Sequence, residues 1–144
     1  KGILRVIANN ANMKNNNANS DLIFPELSYE IVGAAFEVFN SIGWGFSEKH
    51  YQKALWEELK NRNIDLKKEV YIPLKYKNAN IGRYFADFIV DGKILLELKV
   101  VSRLGYVHAK QVLEYLQSAS LKLGILLYFT RDGVKYRRVI NSNL

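Results

Sequence analysis

One segment constrains the fold of this chain more than any other, because it has the pattern of a β-hairpin that carries charged residues. Two apolar runs, 84–90 and 94–100, are joined by Asp91-Gly92-Lys93. An Asp-Gly pair between two runs of strand-forming residues is a strong signal for a tight turn between antiparallel strands. The sequence therefore predicts two paired strands, at about residues 82–90 and 93–100.

Three ionisable residues interrupt this otherwise apolar hairpin. Asp87 lies on the first strand, and Glu97 and Lys99 lie two residues apart on the second, so the latter two share one face. Burying such groups without partners is costly. Either they form a salt-bridged cluster that only supports the fold, or they hold a cation such as Mg²⁺ or Mn²⁺ and take part in chemistry. The three residue types alone leave both interpretations open.

The segments around the hairpin predict a mixed fold. Helical spacing of apolar residues predicts helices over 28–41, 47–63 and 108–118, with Ser28 and Ser47 as N-caps of the first two. Runs of strand-forming residues predict strands over 68–75, 121–130 and 135–140. The order is therefore α-α-β-β-β-α-β-β, an α/β fold in the broad sense, with an α+β mixed sheet. The strands at 93–100 and 121–130 are expected to be parallel, because a helix connects them.

The beginning of the chain has a different composition. Residues 8–20 are rich in asparagine and of low complexity, and the only methionine is Met13. We therefore expect residues 1–26 to be a leader that is disordered or added to the natural sequence, and residues 27–144 to form a single domain.

Composition restricts the classes of function. The chain has no cysteine, which excludes disulfides and thiolate metal sites and fits a cytoplasmic location. No run reaches the ~18 apolar residues of a membrane span, so a membrane is not an expected partner. The net charge is +7, from 21 basic and 14 acidic residues, which suits a polyanion such as nucleic acid. The same excess of charge can also serve solubility alone.

Three motifs together resemble a known group of nucleases. Asp87, followed after nine residues by Glu97-Leu98-Lys99, resembles the core of the PD-(D/E)XK phosphodiesterase superfamily, with Ala86 in place of the proline. Residues 111–115, from Gln111 to Tyr115, are similar to the Q-x-x-x-Y element of RecB-type nuclease domains. Residues 45–51, which contain Glu48, are similar to the G-x-x-E-x-x-Y signature of the GxxExxY protein family. The resemblance runs from about residue 27 to 140 and implies a restriction-endonuclease-like core.

The resemblance also implies an activity. It implies a metal-dependent nuclease that hydrolyses nucleic acid, with DNA as the expected substrate and low sequence specificity. Mg²⁺ or Mn²⁺ would be held by Asp87, Glu97, the Leu98 carbonyl and Glu48, and Lys99 would act on the attacking water or the transition state. Gln111 and Tyr115 would contact the phosphate or a water at the metal.

Each of these residues also has a structural interpretation. A carboxylate such as Glu48 is common in the first turn of a helix, and Gln111 and Tyr115 fit the edge of an amphipathic helix. His50 and His108 are expected at the surface or in support of the site. The alternative function is therefore a catalytically silent module on the same fold that binds nucleic acid or protein. A homodimer or a regulatory partner protein stays open.

Overall fold

The computed structural model describes residues 4–8, 23–102 and 107–144. Within them the chain forms a six-stranded sheet in the order β1-β6-β5-β4-β3-β2, with helices on both faces. The helices and strands in chain order are β1 Leu4–Ala8, α1 Pro25–Ile42, α2 Glu48–Asn61, β2 Leu66–Tyr76, β3 Ala79–Val90, β4 Ile94–Val100, α3 Val107–Ala119, β5 Leu123–Thr130 and β6 Gly133–Asn141. The predicted order α-α-β-β-β-α-β-β is confirmed for residues 23–144.

The strand β1 was not predicted and lies within residues 1–26, whose assignment as a leader stays a prediction. Leu4–Ala8 pairs antiparallel with β6, with Leu4 opposite Asn141. A segment that contains leucine, valine and isoleucine favours a strand, and without β1 the strand β6 would be an unpaired edge of the sheet. Most of the asparagine-rich segment, residues 9–22, lies outside the described residues. The domain boundary at residue 27 stays a prediction, although α1 already begins at Pro25.

The beginning of α1 also differs from the prediction. Ser28 is not its N-cap but is fully buried inside the helix, and the cap position belongs to Phe24. Proline suits the first position of a helix, because its φ is already helical and its missing N–H is not needed there. Pro25 therefore starts the helix three residues early. The predicted cap of α2 is confirmed, since the Ser47 hydroxyl accepts a hydrogen bond from the His50 N–H at 3.2 Å.

The predicted hairpin is confirmed. Asp91 and Gly92 have φ of 53° and 64°, and the Lys93 N–H donates to the Val90 carbonyl at 2.9 Å. Positive φ at both central residues gives a turn whose twist matches that of the flanking strands. The predicted parallel pairing of β4 with β5 is confirmed as well.

Two apolar clusters cover the two faces of the sheet. Helices α1 and α2 pack on one face, with Ile31, Leu55 and Phe88 among the buried residues. Helix α3 packs on the other face, with Val112 and Leu116 in its cluster. The central strands β4 and β5 are buried on both faces, and this fixes the end of β4, where the ionisable residues lie.

Candidate active site

The site begins where the β3–β4 ladder stops. The register joins Val90 with Ile94, Ile89 with Leu95 and Phe88 with Leu96, and no pair follows within the described ladder. In the gap beyond, the Asp87 N–H donates to Glu97 Oε2 at 2.9 Å, and the Leu98 N–H donates to Asp87 Oδ2 at 2.8 Å. Each carboxylate thus accepts the hydrogen bond that a backbone carbonyl would accept in a continuous ladder. The gap holds both side chains in place.

The neighbouring strand has an irregularity at the same level. Lys68 pairs with Phe88 and Val70 with Ala86, so that Glu69 and Asp87 are skipped, and Glu69 has a φ of 52°. Residues two apart on a strand normally share a face. Ala86, however, packs in the α3 cluster and Phe88 in the α1–α2 cluster. The strand β3 therefore changes faces at Asp87, which places this residue at the boundary between the two sides of the sheet.

Burial makes the two carboxylates hard to ionise. Glu97 is only 5% exposed, and burial, with a contribution from the Asp87 charge, raises its pKa to about 7. Burial also raises the pKa of Asp87 to about 6, with a further contribution from Glu48. Two carboxylates that resist ionisation in this way are stabilised by a cation placed between them.

Gln52 is a site residue that the sequence analysis missed. Its Nε2 donates to Asp87 Oδ1 at 3.0 Å, so both oxygens of Asp87 have a partner. Gln52 lies four residues after Glu48 on α2 and hence on the same side of the helix. That spacing was the available signal, but the contact itself depends on how α2 packs against the sheet.

On the α3 side of the sheet lies a small cavity of about 40 Å³. It brings together four of the predicted site residues, Glu97, Lys99, Gln111 and Tyr115. A water molecule takes about 30 Å³ in the liquid, so this cavity has room for about one water or ion. In the described part of the chain, no ion pair joins Lys99 to Glu97. The salt-bridged cluster therefore does not describe this pair.

Two further polar residues line the small cavity, Tyr84 and His108. The Tyr84 ring stacks on Tyr115 at 3.4 Å between ring centroids. The Tyr84 hydroxyl faces the Glu97 carboxylate, and burial together with the Glu97 charge raises the pKa of Tyr84. His108 Nδ1 is buried without a hydrogen-bond partner among the described residues. Burial and the charge of Lys99 lower the pKa of His108, which favours the neutral imidazole. His108 thus lies in the site itself, while Tyr84 was not considered in the sequence analysis.

Comparison with known proteins identifies the family. The profile of the PD-(D/E)XK nuclease superfamily matches residues 25–139. The chain belongs to this superfamily. Its mixed sheet with helices on both faces agrees with the restriction-endonuclease-like core of PD-(D/E)XK proteins, as predicted. No curated protein matches the chain.

One solved structure has a similar fold to this PD-(D/E)XK chain. It is described as the crystal structure of SSO0001, and the two chains are 20% identical with a TM-score of 0.53. The match covers 90% of this chain and 61% of that one, so this chain spans about three fifths of the length of SSO0001. At this level of identity the likeness concerns the fold alone.

The PD-(D/E)XK superfamily implies a divalent metal, and the residues present fit one. Mg²⁺ commonly takes one or two protein carboxylates and keeps several waters, and Asp87 and Glu97 supply two carboxylates with raised pKa. Across the described residues, no three His, Asp or Glu side chains form a group arranged to bind one metal. The charge of Glu48 contributes to the raised pKa of Asp87, and it opposes the lowering of the pKa of His108. Its role as a ligand, like that of the Leu98 carbonyl, stays a prediction.

None of the described helices of this PD-(D/E)XK protein is long and apolar enough to cross a membrane.

Tyr51, the last residue of the G-x-x-E-x-x-Y segment, supports the fold next to the site. Its hydroxyl donates to the Gly43 carbonyl at 2.6 Å, and its ring stacks on Phe129 at 4.3 Å. Tyr51 is fully buried and does not line the small cavity. It fixes the start of α2, which carries Glu48 and Gln52.

Proposed function

We propose that this chain is a metal-dependent nuclease that hydrolyses phosphodiester bonds in nucleic acid, with DNA as the expected substrate. The observation that carries the proposal is the pair of carboxylates, the buried Glu97 and the half-buried Asp87, held in the gap of the β3–β4 ladder with Lys99 beside them. A purely structural role gives no reason to keep two carboxylates with raised pKa in such close contact.

Asp87 and Glu97 would hold Mg²⁺ or Mn²⁺, with Glu48 and the Leu98 carbonyl as further ligands. When bound, the metal would supply Lewis-acid stabilisation of charge on the phosphate and would make water a better nucleophile at neutral pH. Gln52 positions Asp87, because it donates to the carboxylate oxygen that Leu98 leaves free. This contact reduces the rotational freedom of the ligand before a metal arrives.

Lys99 would act on the reaction itself. Lys99 lines the small cavity together with Glu97, and from there its ammonium would position the attacking water or offset negative charge that develops on the phosphate. Gln111 and Tyr115 line the same cavity and would donate hydrogen bonds to the phosphate or the water. The cavity is small enough to exclude bulk water from this side of the site.

Finer features of the proposal come from the motifs. The segment around Glu48 and the pair Gln111 and Tyr115 support placement near RecB-type domains and the GxxExxY family. The net charge of +7 supports binding to the phosphate backbone, with little preference for base sequence. A cytoplasmic location, a homodimer and a regulatory partner stay predictions.

The test is a cleavage assay on circular and linear DNA with Mg²⁺ or Mn²⁺. The unaltered chain (the parent) is compared with the variants Asp87→Asn, Glu97→Gln and Lys99→Ala, after circular dichroism has shown that each variant is folded. Asp91→Asn and Lys93→Ala are matched controls, because these residues form an exposed ion pair of the same residue types at the turn of the same hairpin. We expect the three site variants to lose at least about 100-fold in rate and the two controls to cut like the parent.

Other outcomes have distinct meanings. Cutting that survives all three site variants would show that the activity comes from elsewhere and would overturn the proposal. Absence of cutting by the parent, together with binding of DNA that weakens with salt, would favour the catalytically silent binding module.

A further inference from the structure

A second and larger cavity lies on the other side of Asp87. It has a volume of about 310 Å³ and lies between α2 and the β2–β3 ribbon. Helix α2 contributes Lys49, Gln52, Lys53 and Trp56 to its wall, which follow one another at helical spacing along one face. Pockets for small organic ligands begin at about 300 Å³. This cavity therefore has room for a group the size of a small organic ligand, whereas the small cavity at Glu97 has room for about one water or ion.

The chemistry of this cavity suits a nucleotide. Trp56 is half-buried and stacks on Phe88, and the ammonium groups of Lys60 and Lys68 lie 5.5 and 5.0 Å from its ring centroid. The charges of Lys49, Lys53 and Lys68 are balanced by Glu57, Glu69 and Asp87 in the same lining. Such a wall fits a ligand that has an anionic phosphate at one end and a neutral, flat base at the other.

Two exposed aromatic rings lie further along the same ribbon. Tyr71 and Phe85 are opposite each other on β2 and β3, are 48% and 49% exposed, and lie 5.7 Å apart between centroids. The Arg83 guanidinium lies 5.8 Å from the Phe85 centroid. Both rings are about half exposed, and neither belongs to the two buried clusters of the described residues.

The two groups of aromatic rings are on the same face of the sheet. Tyr84 and Ala86 pack in the α3 cluster, so Phe85 between them points to the opposite face, which is that of α2. The same argument holds for Tyr71, which lies between Val70 and Ile72 of the α3 cluster. Asp87 follows Phe85 by two residues, about 7 Å along the strand. Aromatic rings thus flank Asp87 on this face, with Trp56 on one side and Tyr71 and Phe85 on the other.

We infer that this face binds a single-stranded nucleic acid, whose unpaired bases stack on Trp56 and on the Tyr71–Phe85 pair while its backbone passes Asp87. Bases in a duplex are stacked on one another and cannot reach protein rings without being unpaired. Aromatic platforms with nearby cations are the usual means of holding unpaired bases. The inference rests on the proposed nuclease function for what happens at Asp87, but the binding step can be measured without cleavage.

The experiment measures binding in a chelator, which prevents metal-dependent cutting. The chain has two tryptophans, so Trp44→Phe leaves Trp56 as the only tryptophan and its fluorescence reports on the cavity. The probes are an oligothymidylate of about ten nucleotides and the duplex that it forms with its complement. We expect the single strand to quench Trp56 and to bind at least about tenfold more tightly than the duplex at the same salt concentration.

Variants of the exposed rings test the second half of the platform. Tyr71→Ala and Phe85→Ala should each weaken binding of the single strand by about tenfold, because one stacked base is lost. Both side chains are exposed, so the fold should persist. Tyr29→Ala is the matched control, since Tyr29 is 51% exposed but lies on α1, which packs against α2, β5 and β6. It should bind like the parent.

Three results would overturn the inference. The first is equal affinity for single strand and duplex, and the second is binding by Tyr71→Ala and Phe85→Ala that equals binding by Tyr29→Ala. The third is an unchanged affinity of the ring variants for the single strand together with a change in their sedimentation. This result would show that the exposed rings form a contact between two copies of the chain.

Failure of the nuclease proposal gives a different pattern of results. If the parent does not cut DNA but its affinity for the single strand depends on Tyr71 and Phe85, the platform stands and the chemistry fails. If the parent cuts in a manner that depends on Lys99 but the ring variants bind normally, the chemistry stands and the platform fails.

Discussion

Asp87 and Glu97 each accept a hydrogen bond from the strand that carries the other, at 2.8 Å from the Leu98 N–H and at 2.9 Å from the Asp87 N–H. The two carboxylates therefore close the β3–β4 ladder where backbone pairing ends. Burial raises the pKa of both groups, with a further contribution from the Asp87 charge at Glu97 and from the Glu48 charge at Asp87. The site is thus held firmly in shape and is electrostatically unfavourable in the absence of a cation.

The first prediction concerns stability and pH in a chelator. In the unfolded chain Asp87 and Glu97 titrate near 3.8 and 4.5, whereas in the folded chain their pKa is about 6 and about 7. At pH values between the unfolded and the folded pKa of each group, the folded state binds more protons than the unfolded state. The free energy of unfolding therefore falls as the pH rises from about 4 to about 7. The loss from Glu97 is on the order of 3 kcal/mol. Urea titrations across this range measure it.

A pair of variants isolates the contribution of Glu97. Glu97→Gln cannot ionise but can still accept the Asp87 N–H, so its unfolding free energy should depend less on pH and should exceed that of the parent above pH 7. Glu26→Gln, an exposed change in the first turn of α1, should keep the slope of the parent. Equal slopes for Glu97→Gln and the parent would show that Glu97 is not the group responsible.

The second prediction concerns divalent cations. Mg²⁺ or Mn²⁺ at about 100 times its dissociation constant should stabilise the parent by about 2.7 kcal/mol at pH 8, through preferential binding to the folded state. For a domain of this size, about 4 °C in Tm corresponds to each kcal/mol. Differential scanning fluorimetry measures the shift. Asp87→Asn and Glu97→Gln should show little of it, whereas Asp91→Asn should respond like the parent, and a shift that persists in both site variants would place the metal elsewhere.

The third prediction concerns Gln52 as a positioning residue. Gln52→Leu removes the donor to Asp87 Oδ1 at similar size, and residues that orient a metal ligand are typically worth 10- to 100-fold in metal affinity or activity. We expect the metal concentration for half-maximal cleavage to rise by about tenfold while unfolding in a chelator changes little. Gln117→Leu, at an exposed position of α3, is the control. A uniform loss of rate without a change in metal dependence would argue against positioning of Asp87.

The fourth prediction concerns the packing of α3. An added Cβ at Gly124 on β5 would lie 2.6 Å from Val112 Cγ1 and 3.4 Å from Leu116 Cδ1. Gly124→Ala should therefore lower the free energy of unfolding by about 1–3 kcal/mol, as overpacking does in a core. Gly82→Ala, whose Cβ would meet only Leu74 Cδ1 at 3.9 Å, should be close to neutral. Urea titrations measure both, and equal stabilities would mean that α3 does not pack so closely.

The sequence predicts the parts of this fold that depend on local chemistry. The hairpin follows from Asp91 and Gly92, which tolerate positive φ, and the start of α2 follows from the Ser47 hydroxyl. The start of α1 was predicted wrongly because serine at position 28 competes as a cap signal with Pro25. The strand β1 was missed because the asparagine-rich run next to it dominated the composition of that segment.

Other parts depend on contacts that no local pattern contains. The alternation of side chains indicates a strand but not the point at which its ladder stops, so the gap at Asp87 and the positive φ of Glu69 were not predictable. Gln52 reaches Asp87 only through the packing of α2. His108 and Tyr84 come together with Glu97 only when α3 covers the sheet. The roles predicted for Glu48, Lys99, Gln111 and Tyr115 await the experiments above.

The hydrogen bonds in the gap have a consequence for the descent of this protein. Loss of Asp87 would remove its proposed role in catalysis and also the acceptor for the Leu98 N–H. A duplicated copy that is no longer selected for activity would therefore still be selected to keep a hydrogen-bond acceptor at this position, because an unpaired N–H would destabilise the fold. We expect such copies to carry asparagine or serine at this position more often than alanine or valine, because the former can still accept the bond. A silent descendant would then resemble an active one in sequence, and only the charge at this position would distinguish them.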